Sequence, residues 1–154
     1  MKNNIDVEIC TFSLESCLNA QLAGASRVEL CSGMYDGGTT PSAAMIRMAR
    51  EKLSIQLYVM IRPRGGDFLY SDLEFEMMKE DIRFAKACRA DGVVLGILNA
   101  DGSVDVRRTR ELVEWAAPLK VTFHRAIDMT RDMEEALEGI IEAGCYRVLT
   151  SGGR

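Results

Sequence analysis

The chain has 154 residues, 47% hydrophobic and 27% charged, a single-domain length with enough apolar material for a real core. A formal net charge of −4 and a pI near 5.1 argue against a general nucleic-acid binder, which carries a basic surface. No apolar run of about 18 residues is present to span a membrane. The opening Met1-Lys2-Asn3-Asn4-Ile5-Asp6 lacks the apolar segment of a secretory signal. Cys10, Cys17, Cys31, Cys88 and Cys145 form an odd set with no C-x-x-C pair, which fits a reducing compartment better than a disulfide framework. A cytoplasmic protein is expected.

Short β-branched runs alternate with amphipathic stretches of helical length. In chain order the pattern predicts a strand over 5–11, a helix over 13–23, and a strand over 27–31. A helix over 41–53 follows, with Thr40-Pro41 read as its start: a capping hydroxyl, then proline at the first helical position. A strand over 56–62 precedes a helix over 71–89, where Ser71-Asp72-Leu73-Glu74 has the spacing of a capping box. Strands over 92–98, 120–125 and 147–151 enclose helices over 105–117 and 132–143. Repeated βα units of this kind imply a parallel sheet. With no linker and no low-complexity segment, residues 1–154 read as one domain.

A weak internal repeat fixes the register. Gly24-Ala25-Ser26-Arg27-Val28-Glu29-Leu30-Cys31 aligns with Gly144-Cys145-Tyr146-Arg147-Val148-Leu149-Thr150-Ser151, and more loosely with Arg89-Ala90-Asp91-Gly92-Val93-Val94-Leu95-Gly96. Side chains alternate across a strand, so Val28, Val93 and Val148 share one face and Glu29, Val94 and Leu149 the other. The apolar set Val7, Ile9, Val28, Leu30, Leu57, Val59, Ile61, Val121 and Phe123 suits an outer face under helices. The opposite set holds Glu8, Cys10, Glu29, Cys31, Tyr58, Met60, Arg62, Thr122 and His124. Strands of a parallel sheet normally read apolar on both faces, and buried charge is costly unless paired, so these residues ask for a reason.

Strand starts lie 22 to 36 residues apart, so six units fill the chain. A nucleotide-binding doubly wound sheet wants a Gly-rich turn after its first strand; Thr11-Phe12-Ser13-Leu14-Glu15 contains no glycine. Polar residues at the ends of successive strands are the arrangement of a TIM-type (βα)8 barrel, whose active sites lie at that face. The fold expected is therefore an α/β barrel of this type, truncated after the sixth strand. Two absent strands would leave a gap of roughly 14 Å at about 4.8 Å per spacing, with both edges unpaired.

The segments Val7-Glu8-Ile9-Cys10, Gly37-Gly38-Thr39-Thr40-Pro41-Ser42, Ile61-Arg62-Pro63-Arg64-Gly65-Gly66-Asp67-Phe68, Thr122-Phe123-His124-Arg125-Ala126-Ile127-Asp128 and Leu149-Thr150-Ser151-Gly152-Gly153, in this order with the repeat above, resemble the CutC family. The resemblance runs from the first strand to the last residue. It implies a TIM-type barrel, of which this chain lacks the final two βα units, and a role in copper homeostasis.

The residues themselves leave two chemistries open. Cys10 and Cys31 lie two positions beyond Glu8 and Glu29, which makes them neighbours at the barrel rim. Copper(I) prefers soft thiolate ligands, so this pair is the metal candidate; Cys17, Cys88 and Cys145 read as small packed hydrophobes. Alternatively, the chain is an enzyme acting on a small anionic metabolite. Glu8, Glu29 and the lone histidine, His124, would then handle protons. Arg62, before Pro63 and Arg64, would clamp the anion. The competing structural reading ties Glu8 and Glu29 to Arg27 or Arg62, and Arg62 and Arg64 to Asp67 or Asp128. The two Gly-rich loops could offer backbone N–H groups to an anion, or simply turn the chain. Expected partners are a metal ion or small anionic ligand, with a homo-oligomer left open. Neither nucleic acid, nor membrane, nor an organic cofactor is indicated.

Overall fold

The computed structural model describes residues 5–153; residues 1–4, part of the opening stretch without a secretory segment, and Arg154 lie outside the described residues. Six parallel strands, β1 (Glu8–Thr11), β2 (Arg27–Leu30), β3 (Gln56–Met60), β4 (Gly92–Leu95), β5 (Lys120–Phe123) and β6 (Arg147–Val148), stand side by side in chain order. Between them run α1 (Leu14–Leu22), α2 (Ala43–Lys52), α3 (Asp72–Ala87), α4 (Val106–Ala116) and α5 (Met133–Glu142). A doubly wound sheet reverses its strand order at a switch point; this order never reverses, so the sheet curls one way as a half-barrel. Inward side chains of the first and last strands meet across the hollow, with Arg147 Nη1 3.9 Å from Glu8 Oε2.

The predicted register holds. Val28, Leu30, Leu57, Val59, Val93, Leu95 and Val121 bury their side chains against Ile46, Phe75, Met78, Ile82 and Leu112 of the helices. Cys31, Tyr58, Met60 and Val94 form a second cluster on the inner face. Val7 and Ile9 belong to the outer set by alternation, yet they are 47% and 40% exposed. Ile9 sits on the edge strand β1 and Val7 just before it, and β1 pairs only with β2 among the described residues.

Each strand is shorter than its alternation suggests. The ladder continues one residue past β2, β3, β5 and β6, through Cys31 N to Thr11 O, Ile61 N to Val94 O, His124 N to Leu95 O, and Leu149 N to Phe123 O. Beyond that the chain turns outward to build the mouth of the hollow.

The start of α2 corrects the expectation at Thr40-Pro41. Ser42 is the N-cap, accepting from Met45 N at 3.2 Å, while Thr40 Oγ1 accepts from Arg62 N at 2.9 Å. The Thr40 hydroxyl ties the loop to the end of β3 instead of capping the helix. The capping box of α3 is present: Ser71 Oγ accepts from Glu74 N at 3.2 Å and Glu74 Oε2 accepts from Ser71 N at 2.7 Å. Ser71→Ala is expected to cost about 1 kcal/mol in urea unfolding. A loss below about 0.3 kcal/mol would show that the cap is redundant with α3 packing.

Candidate functional site

The parallel register sets Cys10 of β1 beside Glu29 of β2, with both side chains on the inner face. Cys31 follows one step nearer the mouth. Cys10 Sγ lies 3.9 Å from Cys31 Sγ, and the Cys31 thiol donates to Glu29 Oε1 at 3.6 Å. One ligand atom from each of these three residues falls within 4.8 Å of the others. Gly38 closes over this group: at φ +100° its missing Cβ would stand 3.2 Å from Cys31 Sγ, so a side chain there would press on the sulfur.

Burial sets the electrostatics. Desolvation pushes the Glu29 carboxyl above the usual range, opposed by hydrogen bonds from Cys10 and Cys31. The Cys31 thiol is driven far up, first by its hydrogen bond with Cys10 and then by burial. The resting group is therefore short of negative charge, and a cation entering it displaces protons from sulfur. Two soft sulfurs with one carboxylate oxygen suit copper(I) better than a hard ion.

Glu8 does not join this group. It pairs with Arg27, which also donates to Gln56 Oε1 at 3.2 Å, one layer nearer the N-terminal strand ends. Arg27 and Arg147 both stack on the Tyr58 ring, at 5.0 and 5.4 Å. The expectation of four residues in one cavity thus holds for three. Glu29, Arg62 and His124 line a cavity of about 270 Å³ with Cys10, Phe68 and Leu149, and Glu8 is not among its walls. Counting inward positions found the face, but the two layers of that face look alike in sequence.

Arg62 is only 6% exposed and works mainly as a tie. Its Nη1 donates to Asp36 O at 2.5 Å and Gly38 O at 2.9 Å, its Nη2 to Gly66 O at 2.9 Å, and its guanidinium lies 4.9 Å from the Phe68 ring centre. Arg64 is drawn away to Glu74 Oε1 at 2.5 Å and Asp67 Oδ1 at 3.1 Å. His124 accepts from Ala126 N through Nδ1 at 3.2 Å. Burial, and then the charge of Arg62, lower its pKa to about 3. The sequence expectation of a histidine titrating near neutrality does not hold, because burial and the neighbouring guanidinium both disfavour the imidazolium.

The Gly-rich loops turn the chain and leave little for an anion. Gly37 N, Gly38 N, Thr39 N and Thr40 N all donate to carbonyls of the same loop or of Arg62. In the second loop, Ser151 N and Gly153 N donate to Asp128, and Gly152 N to Thr150 Oγ1. Asp128, 6% exposed, is the organiser of that loop; the sequence reading saw it only as a partner for arginine. Phe68 was also missed as a site residue, since it stands outside the strand register, and Gly38 was weighed only as part of an anion-binding loop.

Cys17 is fully buried beside Thr11 Oγ1 at 3.2 Å, and Cys88 and Cys145 are half-buried against the outer core. All five cysteines are free. Among the described residues no helix is long and apolar enough to cross a membrane.

The sequence model of the CutC family matches residues 5–154. A CutC family protein of Chromobacterium violaceum is 57% identical over 146 residues, covering 95% of this chain and 59% of its own length. A human protein described as a copper homeostasis protein cutC homolog is 51% identical over 150 residues, covering 97% and 55%. The chain therefore spans less than two thirds of these relatives. A CutC crystal structure from Streptococcus agalactiae superposes with a TM-score of 0.92 at 37% identity, covering 97% of this chain and 74% of that one. QR15, an aldolase, matches at a TM-score of 0.66 and 15% identity over 99% of this chain and 70% of that one, which speaks to the fold alone. By its sequence, and by the fold that carries the same segments to one mouth, this chain belongs to the CutC family.

Proposed function

We propose that this chain binds copper(I) through Cys10 and Cys31 as part of a cytoplasmic copper-homeostasis protein. The observation that carries the reading is the 3.9 Å approach of the two sulfurs at the mouth, with Glu29 beside them. Copper here is cargo, and the residues fit it: copper(I) is content with two or three soft ligands, and a carboxylate at the edge offsets its charge. Exposed Cys10 on the edge strand and buried Cys31 behind it give an entry sulfur and a retaining sulfur. Relatives named for copper homeostasis support the role; five free cysteines support a reducing compartment. The curl of the sheet and the aldolase likeness support a one-domain (βα)8 barrel of which six strands and five helices are seen.

The test is an anaerobic copper(I) titration against a chelator. Cys10→Ser/Cys31→Ser is expected to weaken binding by at least about a hundredfold, roughly 2.8 kcal/mol, while Cys17→Ser and Cys145→Ser leave it unchanged. Equal affinity in the double variant would refute this pair as the site. The enzyme alternative gains no support from Glu8, held in its ion pair with Arg27.

A further inference from the structure

Copper binding uses Cys10, Cys31 and Glu29, and leaves the opposite wall of the same cavity without an occupation. That wall is made by Arg62 and His124, which are 6% and 5% exposed. His124 Nδ1 accepts the Ala126 N–H, so in the neutral ring the proton sits on Nε2. Nε2 is buried and has no partner. Arg62 directs Nη1 and Nη2 at three loop carbonyls, yet its Nε is likewise buried and without a partner. Both groups pack on one ring, Phe68: the His124 ring centre lies 5.0 Å from it and the guanidinium carbon 4.9 Å. Each side chain thus keeps one buried N–H donor without a hydrogen-bond partner, the Tyr70 hydroxyl lying near Arg62, while both pack on Phe68. Unsatisfied buried donors are rare and mark a place for an acceptor.

We infer that this wall binds the carboxylate of a small organic acid, with His124 Nε2–H and Arg62 Nε–H as its donors. The rest of the cavity selects the class. Phe68, Met60 and Leu149 give an apolar side for a short carbon skeleton, and about 270 Å³ admits a molecule of only a few carbons. Glu29, with Oε2 unpartnered, offers an acceptor for a hydroxyl of the same ligand. A phosphate dianion would want the backbone N–H groups of the Gly-rich loops, and these are already bonded within the loops. The inference goes beyond the copper reading and does not depend on it.

His124 is the sole histidine, so imidazole nitrogen NMR reports on one residue. Copper-free protein is titrated with lactate, and separately with inorganic phosphate and with acetamide. Lactate is expected to shift the Nε2–H signal and slow its exchange with water, saturating at about millimolar concentration. Phosphate and acetamide are expected to leave the signal in place. His124→Phe should weaken lactate binding by at least about tenfold with its circular dichroism unchanged; the wild-type titration stands by itself should that variant fail to fold. A signal that lactate does not move, or that phosphate or acetamide moves equally, would overturn the assignment. Loss of copper binding in the cysteine double variant bears on neither outcome.

Discussion

Arg62→Ala is expected to lower the stability of the chain by about 3–4 kcal/mol. Hydrogen bonds to a charged donor contribute about 1.5–3 kcal/mol each, and Arg62 makes three, to the carbonyls of Asp36, Gly38 and Gly66. Asp36 and Gly66 are exposed and recover water when the guanidinium is removed, whereas Gly38 is buried and does not. The stacked contact on Phe68 is lost as well. Arg62→Lys should recover less than half, because an ammonium is a point donor and cannot reach three carbonyls on two loops. The loops over residues 32–42 and 63–70 should show faster amide exchange in both variants, with the outer core unchanged. Urea unfolding of Arg62→Ala within about 1 kcal/mol of wild type would mean that the loops hold themselves.

This role for Arg62 shows where sequence reading stops. Alternation along β2, β3 and β5 was enough to place Glu29, Arg62 and His124 on one face, because a period of two is imposed by the backbone itself. The same rule placed Glu8 on that face, correctly, and then could not say that it lies a layer deeper, where Arg27 is its register partner. Depth depends on how strands are staggered around the curl, and stagger is set by contacts between distant segments. The cysteine pair was legible only in part: matched offsets put Cys10 level with Cys31, whereas Cys10 is level with Glu29 and meets Cys31 one step nearer the mouth. Phe68 and Asp128 were not legible, since each acts from a loop whose course is fixed by the very hydrogen bonds in question. Thr40 misled for the same reason: its hydroxyl meets Arg62 N from a different unit, a contact no local helix signal contains.

Asp128→Asn is expected to cost about 3–5 kcal/mol at neutral pH, the largest effect of any single polar change near the mouth. The carboxylate accepts from Ser151 N at 2.9 Å, Ser151 Oγ at 2.8 Å and Gly153 N at 3.2 Å, and also from the Thr150 hydroxyl. Four donors from one loop converge on two oxygens, each bond charge-assisted at about 1.5–3 kcal/mol. The fifth contact, from Arg125 Nε at 3.2 Å, adds little because that side chain is 65% exposed. Asparagine keeps one acceptor and turns an NH₂ toward donors, so half the set is lost and one side is repelled. Acid should mimic the substitution. Burial would raise the Asp128 carboxyl, but the hydrogen bonds from Thr150 and Ser151 outweigh it and hold the group well below its ordinary range. An unfolded aspartate titrates at about 3.9. The wild-type advantage is therefore complete above that value and declines as pH falls below it toward the lowered folded value. Unfolding free energies of wild type and Asp128→Asn, compared by urea denaturation at about pH 7 and about pH 3, should differ widely at the first and less at the second. A gap that stays constant across that range would mean that Asp128 is not ionised in the folded chain, and that the loop after β6 is held by something other than its charge.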